Sequence, residues 1–324
     1  MLKNKKPMYL LLIAMLIAMS VFVGCGNKKD DGKLRIVCTV YPAYDFVMNI
    51  LGENKAQIEV TYLLDKGVDM HNFQPSADDI VTISGADLFI YVGGESDALI
   101  EDVLETTAKD VKAMAFMDMV EVKEEHFMGA QTEHDHEHEH EHEASTEYDE
   151  HVWLSIKKSI EIVDKLADAI AEIDSDNAAD YEKNATAYMD KLRELDTKVT
   201  DIVNNALRKT MLVADRFPFA YFADDYGITG YAAFPGCSAE TEASFETVIF
   251  LVETIEANNL PVIFTIENSA SAVAETVASS LKGKTVKIST LDSMQSVSKE
   301  QIDAGYTYIS AMEKNINALK EALN

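Results

Sequence analysis

The chain has 324 residues, enough for about two domains with sizeable cores. It carries 56 acidic and 28 basic residues, which gives a formal net charge of −28. This charge argues against a nucleic-acid-binding protein, because such a surface must be basic to displace counterions from phosphates. Hydrophobic residues make up 47% of the chain, so a core can form and the acidity does not predict disorder.

The first 24 residues have the pattern of a secretory signal. Lys3, Lys5 and Lys6 precede an uncharged apolar run at 9–23. This run is shorter than the roughly 20 residues that a membrane-spanning helix needs. Cys25 follows Gly24 directly and resembles the cysteine of a bacterial lipobox, which is acylated and becomes the mature N-terminus. We predict a signal peptide at 1–24, a lipidated Cys25 and a polar tether at 25–32; an uncleaved N-terminal anchor is the alternative.

Short apolar or β-branched runs alternate with helical patterns through the rest of the chain. Ser76 and Asp79 predict a capped helix that ends near Ser84. Strand and helix alternation of this kind indicates parallel sheets covered by helices. We therefore predict an α/β protein with two lobes, at 33–175 and 209–324. The predicted strands lie at 34–41, 58–64, 88–92, 112–117, 211–214, 228–234, 262–266 and 285–290.

The longest helical pattern lies between the two sets of strands. Apolar residues recur at spacings of three and four from Tyr181 to Ala206, and neither Gly nor Pro interrupts the segment 177–206. A helix of about 30 residues would be roughly 45 Å long. We predict a stiff linking helix at 176–208 that packs across both lobes; a two-stranded coiled coil is the weaker alternative because e/g charge pairs are few.

Polar side chains follow the predicted strands where a ligand would bind. In open α/β sheets, ligands lie outside the carboxyl ends of the strands. Asp215, Glu267 and Asp292 follow strands of the second lobe, whereas His71 follows a strand of the first lobe and His151 precedes a helix. Alone, each residue would be an ordinary helix cap or structural histidine. Together, imidazole nitrogen and carboxylate oxygen predict a divalent transition metal in the cleft between the lobes.

The segment 134–143 reads HDHEHEHEHE and contains no apolar residue to bury. We therefore predict a disordered loop at 131–143. Imidazoles at this density bind Zn, Cu or Ni loosely, and the acids attract cations. The loop is predicted to be an auxiliary metal-collecting tract, and a merely solvated loop is the alternative. The five imidazoles belong to His134, His136, His138, His140 and His142.

Several motifs together resemble zinc/manganese-binding solute-binding lipoproteins of ABC importers. The segment GVDMHNFQPSADD at 67–79 resembles their first-ligand loop, with Met70 in the place of the usual Pro. The segment DEHVWL at 149–154 resembles their second-ligand loop, and Leu291-Asp292 resembles the fourth. The resemblance covers nearly all of the mature chain. It implies two lobes joined by a rigid helix, a metal between them, and His71, His151 and Asp292 among the ligands.

The family's third ligand is a His or Glu five residues before a Tyr-Phe pair, which here is Tyr221-Phe222. Arg216 occupies that position, and a guanidinium cannot bind a cation. We predict that the neighbouring Asp215 is the third ligand and that Arg216 turns outward or pairs with Asp224 or Asp225. Three other residues are alternatives for the third ligand: Glu267, Glu240 and Cys237.

The expected function is that of an extracytoplasmic, membrane-anchored lipoprotein that captures Zn²⁺ for an ABC importer. The permease and its ATPase would be separate chains, no nucleic acid would be bound, and the protein would be a monomer. Five imidazoles and the Irving–Williams order favour zinc, with Mn²⁺ as the alternative. We expect no enzymatic activity, because no base is paired with a nucleophile and no His-Glu-x-x-His spacing occurs. A metallohydrolase and a surface metal buffer or adhesin are the rival classes.

Overall fold

The computed structural model describes residues 32–106, 111–130, 148–238 and 242–324. The predicted signal peptide, Cys25, the tether up to residue 31, the histidine tract and Glu240 lie outside these ranges. From Leu34 to Asn324 the chain forms one compact unit. Within the described ranges, no helix combines the length and the apolar character needed to cross a membrane.

The first sheet has four parallel strands in the order β2-β1-β3-β4. On the inner strand β1 the last three residues are buried, and Ile36 pairs with both Val60 and Leu88. Cys38, on the same strand, is a buried free thiol. The strands are β1 (Leu34–Cys38), β2 (Ile58–Tyr62), β3 (Leu88–Tyr91) and β4 (Lys112–Ala115), and the helices are α1 (Tyr41–Leu51), α2 (Ala77–Ser84), α3 (Ala98–Thr106) and the single turn α4 (Phe116–Met119).

The cap of α2 confirms the sequence signal. The Ser76 hydroxyl accepts a hydrogen bond from the Asp79 amide at 3.2 Å, and the Asp79 carboxylate accepts one from the Ser76 amide at 2.8 Å. Two amides at the helix N-terminus are satisfied in this way, and the helix ends at Ser84 as predicted.

Two long helices separate the sheets, α5 (Ile156–Ile173) and α6 (Ala178–Asn204). Helix α6 has 27 residues and is therefore about 40 Å long. Its first half contacts α1 of the first lobe, where the Tyr188 hydroxyl donates to Asp45 at 2.7 Å. Its second half contacts the second lobe, where Asp196 accepts from the Tyr226 hydroxyl at 2.8 Å. The predicted long helix across both lobes is confirmed.

The second sheet repeats the first, with four parallel strands in the order β6-β5-β7-β8. The two predicted α/β lobes with parallel sheets are therefore confirmed. The strands are β5 (Thr210–Phe217), β6 (Thr229–Pro235), β7 (Val262–Ile266) and β8 (Lys287–Leu291), and the helices are α7 (Ala220–Tyr226), α8 (Phe245–Asn258), α9 (Ala272–Ser280), α10 (Lys299–Asp303) and α11 (Tyr308–Leu323).

Strand β5 is longer than the sequence predicts. It continues from the predicted end at Ala214 to Phe217, because pairing with β6 resumes at Arg216 after a shift of register. Asp215 and Arg216 therefore lie within the strand rather than after it.

One hydrophobic cluster runs through both lobes. It joins Ile90 of β3, Leu192 of α6 and Phe264 of β7, each of which is fully buried. Because a hinge motion of one lobe against the other would open this shared core, the fold holds the cleft residues in nearly fixed relative positions.

Candidate metal centre

His71 lies in the loop that follows β2, on a single 3₁₀ turn at Met70–Asn72. Asp69 caps this turn by accepting a hydrogen bond from the His71 amide at 3.0 Å. On the imidazole, Nδ1 lies 2.7 Å from the Ser96 hydroxyl. Since Nδ1 is already engaged, Nε2 is the nitrogen left to bind a cation.

His151 is fully buried and is oriented by Asp149 two residues before it. Oδ1 of Asp149 lies 2.7 Å from His151 Nδ1 and accepts from the His151 amide at 2.8 Å. The next turn is held by Trp153, whose indole N–H donates to the Ser293 carbonyl at 2.9 Å. A carboxylate on Nδ1 is the usual outer partner of a metal-binding histidine, because it fixes the tautomer that leaves Nε2 free.

The two imidazoles, both from the first lobe, lie next to each other. Their Nε2 atoms are 3.1 Å apart. Two Zn–N bonds of about 2.0–2.1 Å at a tetrahedral angle would place the nitrogens about 3.3 Å apart. Burial, and after it the nearby His151, lowers the pKa of His71 to about 3, so this imidazole is neutral near pH 7. Two imidazole nitrogens at this separation fit a shared divalent metal.

Cys237 adds a third ligand atom to the histidine pair. Its Sγ and the two imidazole nitrogens all lie within 4.8 Å of one another, and this is the one group of three such residues in the described part of the chain. The Cys237 amide donates to Glu125 Oε1 at 2.9 Å. Burial raises the pKa of the Cys237 thiol above its ordinary value, and the carboxylates of Glu150 and Glu125 raise it further.

Acidic side chains surround this group in a cleft of about 440 Å³. Glu150 is 2% exposed, and its Oε1 accepts from the Ser96 amide at 2.9 Å. Its Oε2 lies 3.8 Å from His71 Nδ1 and has no hydrogen-bond partner among the described residues. Burial raises the pKa of Glu150. Glu95 and Glu125 also line the cleft, which therefore favours a cation.

Asp215 lies beside this group in a separate cavity of about 460 Å³ lined also by Asp69 and Glu267. One carboxylate oxygen accepts from the Arg216 amide, and the other accepts from the Ser269 hydroxyl. The following helix α7 has no side-chain cap, so Asp215 does not cap it. Its assignment as the third ligand stays a prediction.

The prediction that Arg216 turns outward or pairs with Asp224 or Asp225 is wrong. The Arg216 side chain forms a largely buried ion pair of 2.6 Å with Asp69, because β5 ends opposite the loop that carries His71. Although burial opposes it, this guanidinium lowers the pKa of Asp69. Asp224 instead pairs with Lys123, and Asp225 accepts from the Ser155 hydroxyl.

Glu267 and Asp292 lie together at the ends of β7 and β8. Glu267 accepts hydrogen bonds from the Ser293 amide at 2.7 Å and the Gln295 amide at 3.2 Å. Asp292 accepts one from the Tyr306 hydroxyl at 2.7 Å. Burial, and then the charge of Asp292, raises the pKa of Glu267 to about 7. Neither carboxylate belongs to the converging group of described residues, so Asp292 as a ligand also stays a prediction.

Sequence reasoning assigned no role to the residues that orient the imidazoles. Asp149 could have been found, because an acid two residues before a histidine can reach its Nδ1. Ser96 and Glu125 gave no local signal, because their proximity to His71 and Cys237 depends on how loops distant in sequence meet.

Comparison with known proteins agrees with this architecture. Residues 36–322 match the family model described as ZnuA, zinc-uptake complex component A periplasmic. The chain is 34% identical over 316 residues to the zinc-binding lipoprotein AdcA of Streptococcus pneumoniae R6, covering 96% of this chain and 60% of AdcA. It is 33% identical to the high-affinity zinc uptake system protein ZnuA of Bacillus subtilis, covering 92% of each.

A solved structure of similar fold is the Zn(II)-bound ZnuA-like domain of Streptococcus pneumoniae AdcA. It superposes with a TM-score of 0.72 at 30% identity and covers 90% of this chain and 99% of that domain. The chain thus spans about 60% of the full length of the AdcA relatives it matches. The family model covers nearly the whole described chain from the first strand to the last helix, and the chain belongs to the family of zinc-uptake complex component A.

Proposed function

We propose that this chain captures Zn²⁺ outside the cytoplasm and delivers it to the permease of an ABC importer, whose ATPase is a further separate chain. The observation that carries the proposal is the pair of buried imidazoles whose Nε2 atoms lie 3.1 Å apart while Asp149 and Ser96 engage their Nδ1 atoms. Membership of a zinc-uptake family and two zinc-named relatives support it.

In this proposal His71 and His151 each donate one nitrogen to the ion. The ligands must be free of protons, so affinity weakens in acid. Nitrogen donors suit zinc better than manganese, which prefers oxygen. Asp215 and Asp292 are the carboxylates that the sequence predicts as further ligands.

The shared core limits how the empty and loaded forms can differ. Because α6 packs against both lobes, we propose that zinc orders the loops around it rather than closing the lobes. The loops concerned are those that carry the ligands and their partners, at 67–73, 93–97 and 235–238. A permease would then recognise the loaded form by the shape of these loops.

Two segments outside the described residues complete the proposal. A lipidated Cys25 would anchor the protein to the outer face of the membrane. The histidine tract at 131–143 would collect zinc loosely and raise its concentration near the buried site. Neither segment would contribute a ligand to that site.

The proposal is tested by zinc-65 uptake from nanomolar zinc in cells that lack their own copy of this chain. Wild-type protein should restore uptake, and His151→Ala should not, because the site loses a buried nitrogen. The matched control is His126→Ala, which removes an exposed imidazole that pairs with Asp224 at 3.1 Å. Immunoblots of membrane fractions must show equal amounts of the three proteins.

Uptake by His126→Ala at the wild-type rate, with loss in His151→Ala, is the expected result. Full uptake with His151→Ala would overturn the assignment of the buried pair. It would favour a surface metal buffer that works through the histidine tract.

A further inference from the structure

We infer that Cys237 binds the ion as a thiolate and is the third ligand of the site. The inference rests on the proposed function and deepens it, because it names the donor atoms and so the class of metal that the site accepts. The sequence alone favours Asp215 as the third ligand, with Cys237 as an alternative. The positions of the two side chains favour Cys237 instead.

A close-fitting turn places Cys237 beside the histidines. The turn follows β6 and reaches the cleft through Gly236. A Cβ on Gly236 would lie 2.9 Å from the Phe217 carbonyl oxygen and 3.2 Å from His151 Cε1. Since a real Cβ does not approach backbone this closely, only glycine lets the turn lie against His151. The amide of Cys237 is then held by Glu125 at 2.9 Å.

The competing side chains on β5 are engaged elsewhere. The Arg216 guanidinium is paired with Asp69 and carries a positive charge, so it cannot be a ligand. Both carboxylate oxygens of Asp215 already accept hydrogen bonds, from the Arg216 amide and the Ser269 hydroxyl. Cys237 Sγ has a hydrogen bond with the Glu150 backbone, and because sulfur is a weak hydrogen-bonding atom this contact competes less with a metal than the two hydrogen bonds of Asp215 do.

The distances require only a small adjustment. A tetrahedral zinc with a Zn–S bond of about 2.3 Å and Zn–N bonds of about 2.0–2.1 Å places sulfur about 3.6 Å from each nitrogen. The three ligand atoms of His71, His151 and Cys237 now lie within 4.8 Å of one another. A shift of about 1 Å by the cysteine side chain would close the difference.

Charge and softness both favour the thiolate. On binding, the S–H bond breaks, a Zn–S bond forms, and the proton passes to solvent. Two neutral imidazoles and one thiolate leave a formal charge of +1, which the nearby carboxylates of Glu125 and Glu150 offset. A thiolate is a soft donor that suits zinc and disfavours manganese, magnesium and calcium. The donor set therefore selects zinc over manganese within the cleft.

The test is cobalt(II) substitution together with zinc X-ray absorption on the full chain carrying Cys25→Ser, which leaves Cys38 and Cys237 as its thiols. We expect an intense near-ultraviolet thiolate-to-cobalt charge-transfer band. We also expect one sulfur at about 2.3 Å from zinc beside shorter Zn–N bonds. Cys237→Ser and Cys237→Ala should abolish the band and weaken zinc binding tenfold or more.

The control is Cys38→Ala, which removes the thiol buried in β1 and should keep the band. Asp215→Ala separates the two candidates for the third ligand: the band and tight binding persist if Cys237 holds the position, and tight binding is lost if Asp215 holds it. Tight zinc without a sulfur neighbour, or a band that persists in Cys237→Ala, would overturn this inference and leave the proposed function standing. If the wild-type chain bound neither metal tightly, the inference and the proposed function would fail together.

Discussion

The carboxylate of Asp149 should determine how well His151 binds zinc. It is 1% exposed, and its Oδ1 holds both the Nδ1 and the amide of His151, at 2.7 and 2.8 Å. Asp149→Ala would leave the buried Nδ1–H without this acceptor and allow the ring to rotate or change tautomer. Asp149→Asn keeps the shape and one acceptor oxygen but loses the negative charge.

The expected loss of zinc affinity can be estimated from the hydrogen-bond partners of metal-binding histidines in other proteins. Removing the outer partner of a metal-binding histidine typically costs 10–100-fold in affinity, or about 1.4–2.7 kcal/mol. Both groups here are almost fully buried, so water cannot replace the lost carboxylate. We therefore expect about 100-fold weaker binding for Asp149→Ala and about 10-fold for Asp149→Asn.

Competition with a chelator of known zinc affinity measures these changes, and thermal unfolding of the zinc-free variants checks that they fold. The control is Asp190→Asn, an exposed carboxylate that pairs with Arg193 on α6, and it should bind as wild type does. Wild-type affinity in both folded Asp149 variants would refute the reasoning, because His151 would then keep its orientation without the carboxylate.

Four further predictions concern other parts of the chain. Arg216→Gln should lower the free energy of unfolding by about 1–3 kcal/mol, because the largely buried Asp69 loses its cation. Adding Asp69→Asn should restore part of the lost stability in urea titrations. Unchanged stability in Arg216→Gln would mean that the ion pair is not stabilising. Burial raises the pKa of Asp97 to about 7, so the fold favours the protonated form and loses stability as pH rises from about 4 to 7. Asp97→Asn should remove this loss, which is up to about 1.4 kcal/mol per pH unit. Curves of unfolding free energy against pH that run parallel in the two proteins would contradict this prediction. Deletion of 131–143 should leave one tight zinc and reduce the total number of bound zinc ions in elemental analysis, whereas loss of the tight ion would make the tract part of the site. Cys25→Ser should move the protein out of the membrane fraction, and a membrane-bound variant would favour an uncleaved anchor.

The elements of the fold were largely predictable from periodicity and caps. Strand β7 begins and ends at the predicted residues, because a short apolar run marks it locally, and helix α2 ends at Ser84 as its cap pattern predicts. The end of β5 was wrong, since the strand continues only because β6 pairs with it again at Arg216. Such pairing depends on a neighbour that local sequence does not reveal.

The candidate site was predictable only in part, for the same physical reason. The motifs around His71 and His151 single out both residues, and the structure brings their Nε2 atoms together. The place of Cys237 depends on a turn after β6 that meets a loop of the other lobe. The Arg216–Asp69 pair joins residues 147 positions apart, so a local search for acids near Arg216 could not find it.

The most direct test of the central claim is the number and affinity of zinc ions bound by the chain without residues 131–143. We predict one zinc per chain that is retained through dialysis in the deleted protein. The same protein carrying His71→Ala or His151→Ala should lose that ion while keeping its fold. Titration calorimetry that finds unchanged one-to-one binding in both histidine variants would contradict the account, because the buried imidazole pair would then not be the zinc site.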